Sequence, residues 1–158
     1  MWRLANIAVA LLLILASVAS SAADDAKDVT ATIRRFVHAF NRGDSSAMDA
    51  TFADYASITD DFAPFVWDGP QAIDGWSSAF RARLQQRGMT GVHLVARDSS
   101  HLAISSSMAF APVPVVYSYS RMHASAWQES GILVFGLEIS QSGWKIVSMA
   151  WAPTNEPK

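Results

Sequence analysis

The chain has no cysteine, so disulfides, thiolate nucleophiles and thiolate-held metals are excluded. Its stability has to come from packing. Charge is also scarce: Asp, Glu, Lys and Arg make up 16% of the 158 residues, with a formal net charge of -2. The largest basic block is RARLQQR at 81–87, too small to track a phosphate backbone, so no nucleic acid is expected as a partner. No GxGxxG, Walker A, GxSxG or HExxH pattern occurs, which leaves nucleotide-binding and serine-hydrolase readings without support. His38, His93, His101 and His123 include no i, i+4 pair. Neither a metal site nor a cofactor is expected.

Hydrophobic residues are plentiful, at 51%, enough for one domain with a packed core. The first of them belong elsewhere. One arginine, an aliphatic run from Ile7 to Val18, and the small residues of SVASSAA precede Asp24 and Asp25. This order is that of a cleaved secretory leader over residues 1–23. A single domain over 24–158 follows, with an exported location, periplasmic or secreted. The apolar run is short for a membrane span, so none is expected after cleavage.

From Asp25 the pattern is helical. Val29, Ile33, Phe36, Val37 and Phe40 form one apolar stripe, and Gly43 ends it. Asp44 or Ser45 can cap a short second helix carrying Met48 and Phe52. Tyr55–Thr59 reads as a strand, followed by a loop around Pro64. A third helix, opened by Pro70, carries Ile73, Trp76, Phe80 and Leu84 on one face and ends at Gly88. Arg81, Arg83 and Arg87 read as its solvated face. Gly75 within it weakens the helix by up to ~1 kcal/mol relative to alanine unless a close contact requires it.

The remainder is β: strands over Val92–Ile104, with room for a bulge around Asp98-Ser99-Ser100, Met108–Arg121, Gln128–Ser140 and Trp144–Ala152, with SQSG at 140–143 as a hairpin turn. Pro112 and Pro114 share one parity, so their missing donors point the same way. That requires an edge, an overhang, or a strand starting only at Val115. Both faces of Gln128–Ser140 are apolar, which calls for cover on both sides. The helices supply one cover and a second copy of the chain the other, giving a homodimer through the outer sheet face.

FVHAFNRGD at 36–44, SITDDFAPFVWDGPQAIDGW at 57–76 and SGWKIVSMAWA at 142–152, in this order among these elements, resemble the nuclear transport factor 2-like superfamily and its SnoaL-like branch. The resemblance implies an α+β fold: three helices packed in a strongly bent antiparallel sheet, a cone-shaped, cystatin-like α+β barrel enclosing a pocket. Relatives of this fold include isomerases, dehydratases and cyclases as well as members without chemistry, so the fold does not settle activity.

Asp60 and Asp61 follow a strand expected at the pocket wall. In extended chain one of the two points inward, and a carboxylate among Phe62, Phe65 and Trp67 has its pKa raised, which suits a general acid or base. The plainer role is a loop carboxylate bonded to nearby backbone. Trp67, Tyr117, Tyr119, Trp151 and His101 are the candidate ligand-binding residues: flat walls for an apolar or aromatic molecule, a phenol to donate to a ligand oxygen, and a histidine within reach of the interior. Core or backbone-bonded roles compete for each. The leading expectation is an exported protein that binds a small apolar or aromatic molecule. The alternatives are an isomerase, dehydratase or cyclase using an Asp, and a non-enzymatic dimeric interaction module.

Overall fold

The computed structural model describes residues 23–99, 101–121 and 125–154. The expected leader therefore lies outside the described residues except for its last residue, as does His123. Helix α1 covers residues 23–42. Short helix α2 (Ser45–Asp49) is capped by Asp44, whose side chain accepts from the Ala47 amide. Strands β1 (Phe52–Thr59) and β2 (Val66–Gly69) come next, then α3 (Ala72–Gln86). Strands β3 (Met89–Ala96), β4 (Ala103–Ile104), β5 (Met108–Arg121), β6 (Trp127–Ser140) and β7 (Gly143–Pro153) complete the chain.

The strands form one curved, open sheet in the order β2-β1-β7-β6-β5-β3, with β4 paired to β5 beside β3. The α+β class expected from the sequence is the one observed, with helices packed on the inner face of a bent sheet. The sheet is mixed rather than wholly antiparallel, because β1 runs parallel to β7. That pairing joins the first strand to the last and sets Ile58 against Met149.

Alternation along β5 and β6 is strict. Ala111, Val113, Val115 and Tyr117 point inward, as do Leu133, Phe135 and Leu137, and all are buried. In α1 the same stripe that marks the helix supplies the opposing layer. Phe36 meets Phe135 edge-on at 5.7 Å and Phe52 at 5.8 Å. Phe40 reaches Trp76 and Phe80 of α3, which stack on each other at 5.4 Å. Each such side chain contributes roughly 1.5–3 kcal/mol of burial. Thr32, also buried, donates to the Trp144 carbonyl and anchors α1 to β7. Asn41, near the end of α1, both donates to the Leu94 carbonyl and accepts from the Leu94 amide.

Three elements depart from the sequence reading. The residues after Pro64 are not simply loop: Val66–Gly69 turns back on β1, with Trp67 opposite Ile58. Four residues are too few for periodicity to reveal. Pro70 lies outside α3, which starts at Ala72. The long strand expected over Val92–Ile104 is two strands with a gap, and Pro112 and Pro114 are the reason. Their carbonyls accept from the Arg97 amide and the Ser99 hydroxyl, so their missing N–H groups face the same side. The β3 ladder therefore stops beside Pro114, and pairing resumes only at Ala103 opposite Phe110. The strand itself begins at Met108, and the prolines sit within it at an interrupted margin.

Two glycines seat tryptophans. A Cβ on Gly75 would stand 2.9 Å from Cδ1 of Trp67, so the glycine that weakens α3 lets β2 pack against it. At Gly131 a Cβ would stand 2.2 Å from the Trp151 ring and 2.6 Å from the Ala152 carbonyl oxygen. Backbone across a ladder cannot yield as a side chain can. Gly131→Ala is expected to cost about 2 kcal/mol, read as a lower urea midpoint with an unchanged slope.

Candidate functional site

The end of β1 carries the site. Ala56 and Ile58 point inward and are buried, and Asp60 continues the same parity. Its backbone amide donates to the Phe65 carbonyl, closing a six-residue loop. One carboxylate oxygen of Asp60 accepts from the Trp76 indole at 2.7 Å, the other from the Asp61 amide at 2.8 Å. Burial pushes the Asp60 carboxyl up to about 6 from an ordinary 3.8, and the Asp61 charge adds to the rise. The two hydrogen bonds oppose it. Asp61 lines the same cluster and pairs with Arg83, whose guanidinium also lies 4.8 Å from the centre of the Phe62 ring.

Around Asp60 stand residues from the far end of the sequence. Tyr117 of β5 packs edge-on against Trp151 at 5.2 Å and lies 6.1 Å from Phe80. Its hydroxyl forms no hydrogen bond among the described residues. Burial first, and the Asp60 charge second, hold its pKa well above the usual tyrosine value, so it stays a proton donor. Trp151 faces inward because β7 is bulged between its pairings at Ile146 and Ser148. Before the bulge Trp144 and Ile146 point inward; after it Met149 and Trp151 do. Tyr119 stacks on Tyr117 at 6.0 Å and donates to Glu129 at 3.4 Å. The pKa of Tyr119 is raised by burial and then by the Glu129 charge. Burial also raises that of Glu129, with the Asp61 charge adding to it and Arg83 opposing.

The structure thus gathers Asp60, Asp61, Tyr117, Tyr119 and Trp151 at one place. It does not bring Trp67 or His101 there. Trp67 is buried against Gly75 and Phe62, and His101 is exposed just before β4. Arg83 is not part of a solvated face, since its side chain is only 19% exposed. Seven residues after Trp76 and three after Phe80, it lies on their face of α3. Glu129 shares the inward parity of Leu133 and Phe135. Both signals were present in the sequence, but neither residue was among the site candidates.

The cluster is nearly closed. The free space among these side chains is about 10 Å³, room for at most one water. Anything larger has to displace wall side chains, among them Arg83 and Asp61. The bridge between the last two is partly exposed, and such pairs contribute roughly 1 kcal/mol or less, so the cover is weakly held. Among the described residues no three His, Asp or Glu side chains come together as metal ligands.

Residues 33–128 match the family model of the SnoaL-like domain. No curated protein sequence matches the chain. Solved structures of similar fold include an NTF2-like protein with a cystatin-like fold from Novosphingobium aromaticivorans, at 14% identity and TM-score 0.74, with 89% of each chain covered. A function-unknown protein from Mycobacterium tuberculosis aligns at 14% identity and TM-score 0.71, covering 87% of this chain and 76% of its own. A ketosteroid isomerase-like protein from Erwinia carotovora aligns at 15% and 0.63, covering 80% and 94%. At these identities the likeness concerns the fold.

The raised pKa has a consequence for stability. A carboxyl whose folded pKa lies above its unfolded value binds its proton more tightly when folded, so its stabilising effect is full below pH 3.8. That effect is lost as the pH rises to about 6. Asp60→Asn keeps an oxygen for the Trp76 indole and removes the charge, although its NH2 cannot accept from the Asp61 amide. The variant is expected to be more stable than the parent at pH 7.5, by on the order of 2–3 kcal/mol, and to match it below pH 4. Urea unfolding at the two pH values checks this.

Proposed function

We propose that this chain, which belongs to the SnoaL-like domain family, binds a small apolar or aromatic molecule against Trp151, Tyr117 and Phe80, with Asp60 handling a proton of the bound molecule. The observation that carries the reading is a half-buried carboxyl, pushed up to about 6 by desolvation, in one cluster with a tyrosine hydroxyl that has no partner among the described residues. Near neutral pH such a carboxylate is ionised yet poorly solvated, the condition of an effective base. Tyr117 would donate a hydrogen bond to an oxygen of the same molecule. A proton moved by Asp60 from one atom of the ligand to another, or to a leaving oxygen, gives an isomerisation or a dehydration.

The nearly filled site requires a ligand to displace side chains such as those of the Arg83–Asp61 bridge on entry, and on that count it favours the non-enzymatic interaction module, which stands as the competing outcome. A thermal-shift screen of small aromatic and alicyclic ketones and alcohols, followed by titration calorimetry of the hits, tests the reading. Affinity is expected to change several-fold between pH 5 and 7.5, and Asp60→Asn should flatten that dependence. Hits insensitive to both would sink the proposal.

The leader read in residues 1–23 supports an exported location, periplasmic or secreted. The mass of the protein recovered from the cell envelope or medium should correspond to a chain starting near Asp24. The apolar outer face of β5 and β6 supports a homodimer. Sedimentation at tens of micromolar should show one, and a strict monomer would remove that part of the proposal.

A further inference from the structure

We propose a second binding site, for a small amphipathic carboxylic acid, in the cavity between α1 and the chain that leaves β3. This cavity measures about 210 Å³ and shares no wall residue with the Asp60 cluster. It exists because of the prolines. With no donors at Pro112 and Pro114, the ladder breaks off after the Arg97 amide, which bonds the Pro114 carbonyl, and α1 faces the opening instead of a continued strand.

The chemistry of the walls selects the ligand. Ile33, Val37, Ala96, Leu102 and Val113 give an apolar interior. The uncharged polar groups at the rim are already engaged. Asn41 is spent on both backbone groups of Leu94, Ser99 donates to Pro112, and Thr30 donates to Ala26. Arg42 can only donate, so His38 accepts through Nε2 in that contact. What remains is cationic. Arg97 forms no ion pair among the described residues, and Arg34 pairs with Asp98 at 2.9 Å in a bridge whose side chains are 70% and 83% exposed. So exposed a pair exchanges readily for another carboxylate. Two guanidiniums against one acid make this rim positive in a chain of net charge -2. A sugar or a nucleotide would find too few free donors and acceptors. A molecule of roughly seven heavy atoms in all, at ~30 Å³ each, with one anionic head on an apolar body, fits.

Titration calorimetry of sodium hexanoate into the protein, with 1-hexanol as the uncharged probe of equal length, tests the site. Saturable binding is expected for hexanoate, with hexanol weaker. Arg97→Gln, at an exposed position that leaves folding intact, should weaken hexanoate about tenfold, and added salt should weaken it further. Ala96→Phe, which fills the space, should abolish binding in a variant shown by its melting curve to be folded. Asp60→Asn should leave hexanoate affinity unchanged, so failure here and failure at the Asp60 cluster are distinguishable. Absence of saturation up to about 10 mM, equal affinity for hexanol, or indifference to Arg97→Gln overturns the proposal.

Discussion

The hydrogen bond from the Trp76 indole to Asp60 joins the parts of this protein on which everything else rests. Trp76 is fully buried, stacked on Phe80 and in contact with Phe40. Its indole N–H needs an acceptor, because an unsatisfied buried donor would cost about 1–3 kcal/mol. Asp60 supplies it and is drawn inward in return. The loop after β1, the face of α3 and the end of α1 are thereby fixed to one another. The same contact explains why Asp60 is an uncomfortable anion: among the described residues its one side-chain donor is neutral, and its other donor is the neighbouring Asp61 amide. A cation in place of that indole would pull the carboxyl down and make it an ordinary ion pair. Arg83, which lines the same cluster, is taken by Asp61.

Placement of Asp60 against residues ninety positions later depends on the parallel pairing of β1 with β7. Thr59 lies opposite Ala150, so the next residue on each strand is Asp60 on one side and Trp151 on the other. The β7 bulge and the bare surface of Gly131 then let the Trp151 ring lie inward. Without the bulge the tryptophan would face outward. The site is therefore a product of register rather than of any local motif, which is why no short sequence pattern announces it.

Much of the fold was legible because its signals are local. The stripes of α1 and α3, the cap at Asp44 and the alternation of β5 and β6 each depend on residues within a few positions of one another. Parity also held information that went further. Asp60 shares the parity of Ile58 and Glu129 that of Leu133, which distinguishes Asp60 from Asp61 and adds an acid to the cluster. What could not be read was pairing. Pro112 and Pro114 announced two missing donors on one side, but not that the neighbour on that side would be β3. So the long strand expected over Val92–Ile104 concealed a gap, and the gap concealed a cavity. Gly75 was legible as a cost but not as a seat, because Trp67 comes to it from a strand too short to recognise.

Asn41 does for one residue what an eighth strand would do. Leu94 lies in the middle of β3, and β3 is an end strand of the sheet. The outward amide and carbonyl of Leu94 are just the pair that a strand from another molecule would seek. A helical side chain occupies both, with bonds of 2.7 and 2.8 Å. A chain that is half hydrophobic and without disulfides thus keeps one margin of its sheet from recruiting neighbours. At Leu94 the edge is closed by a single amide on a helix, not by the strand itself.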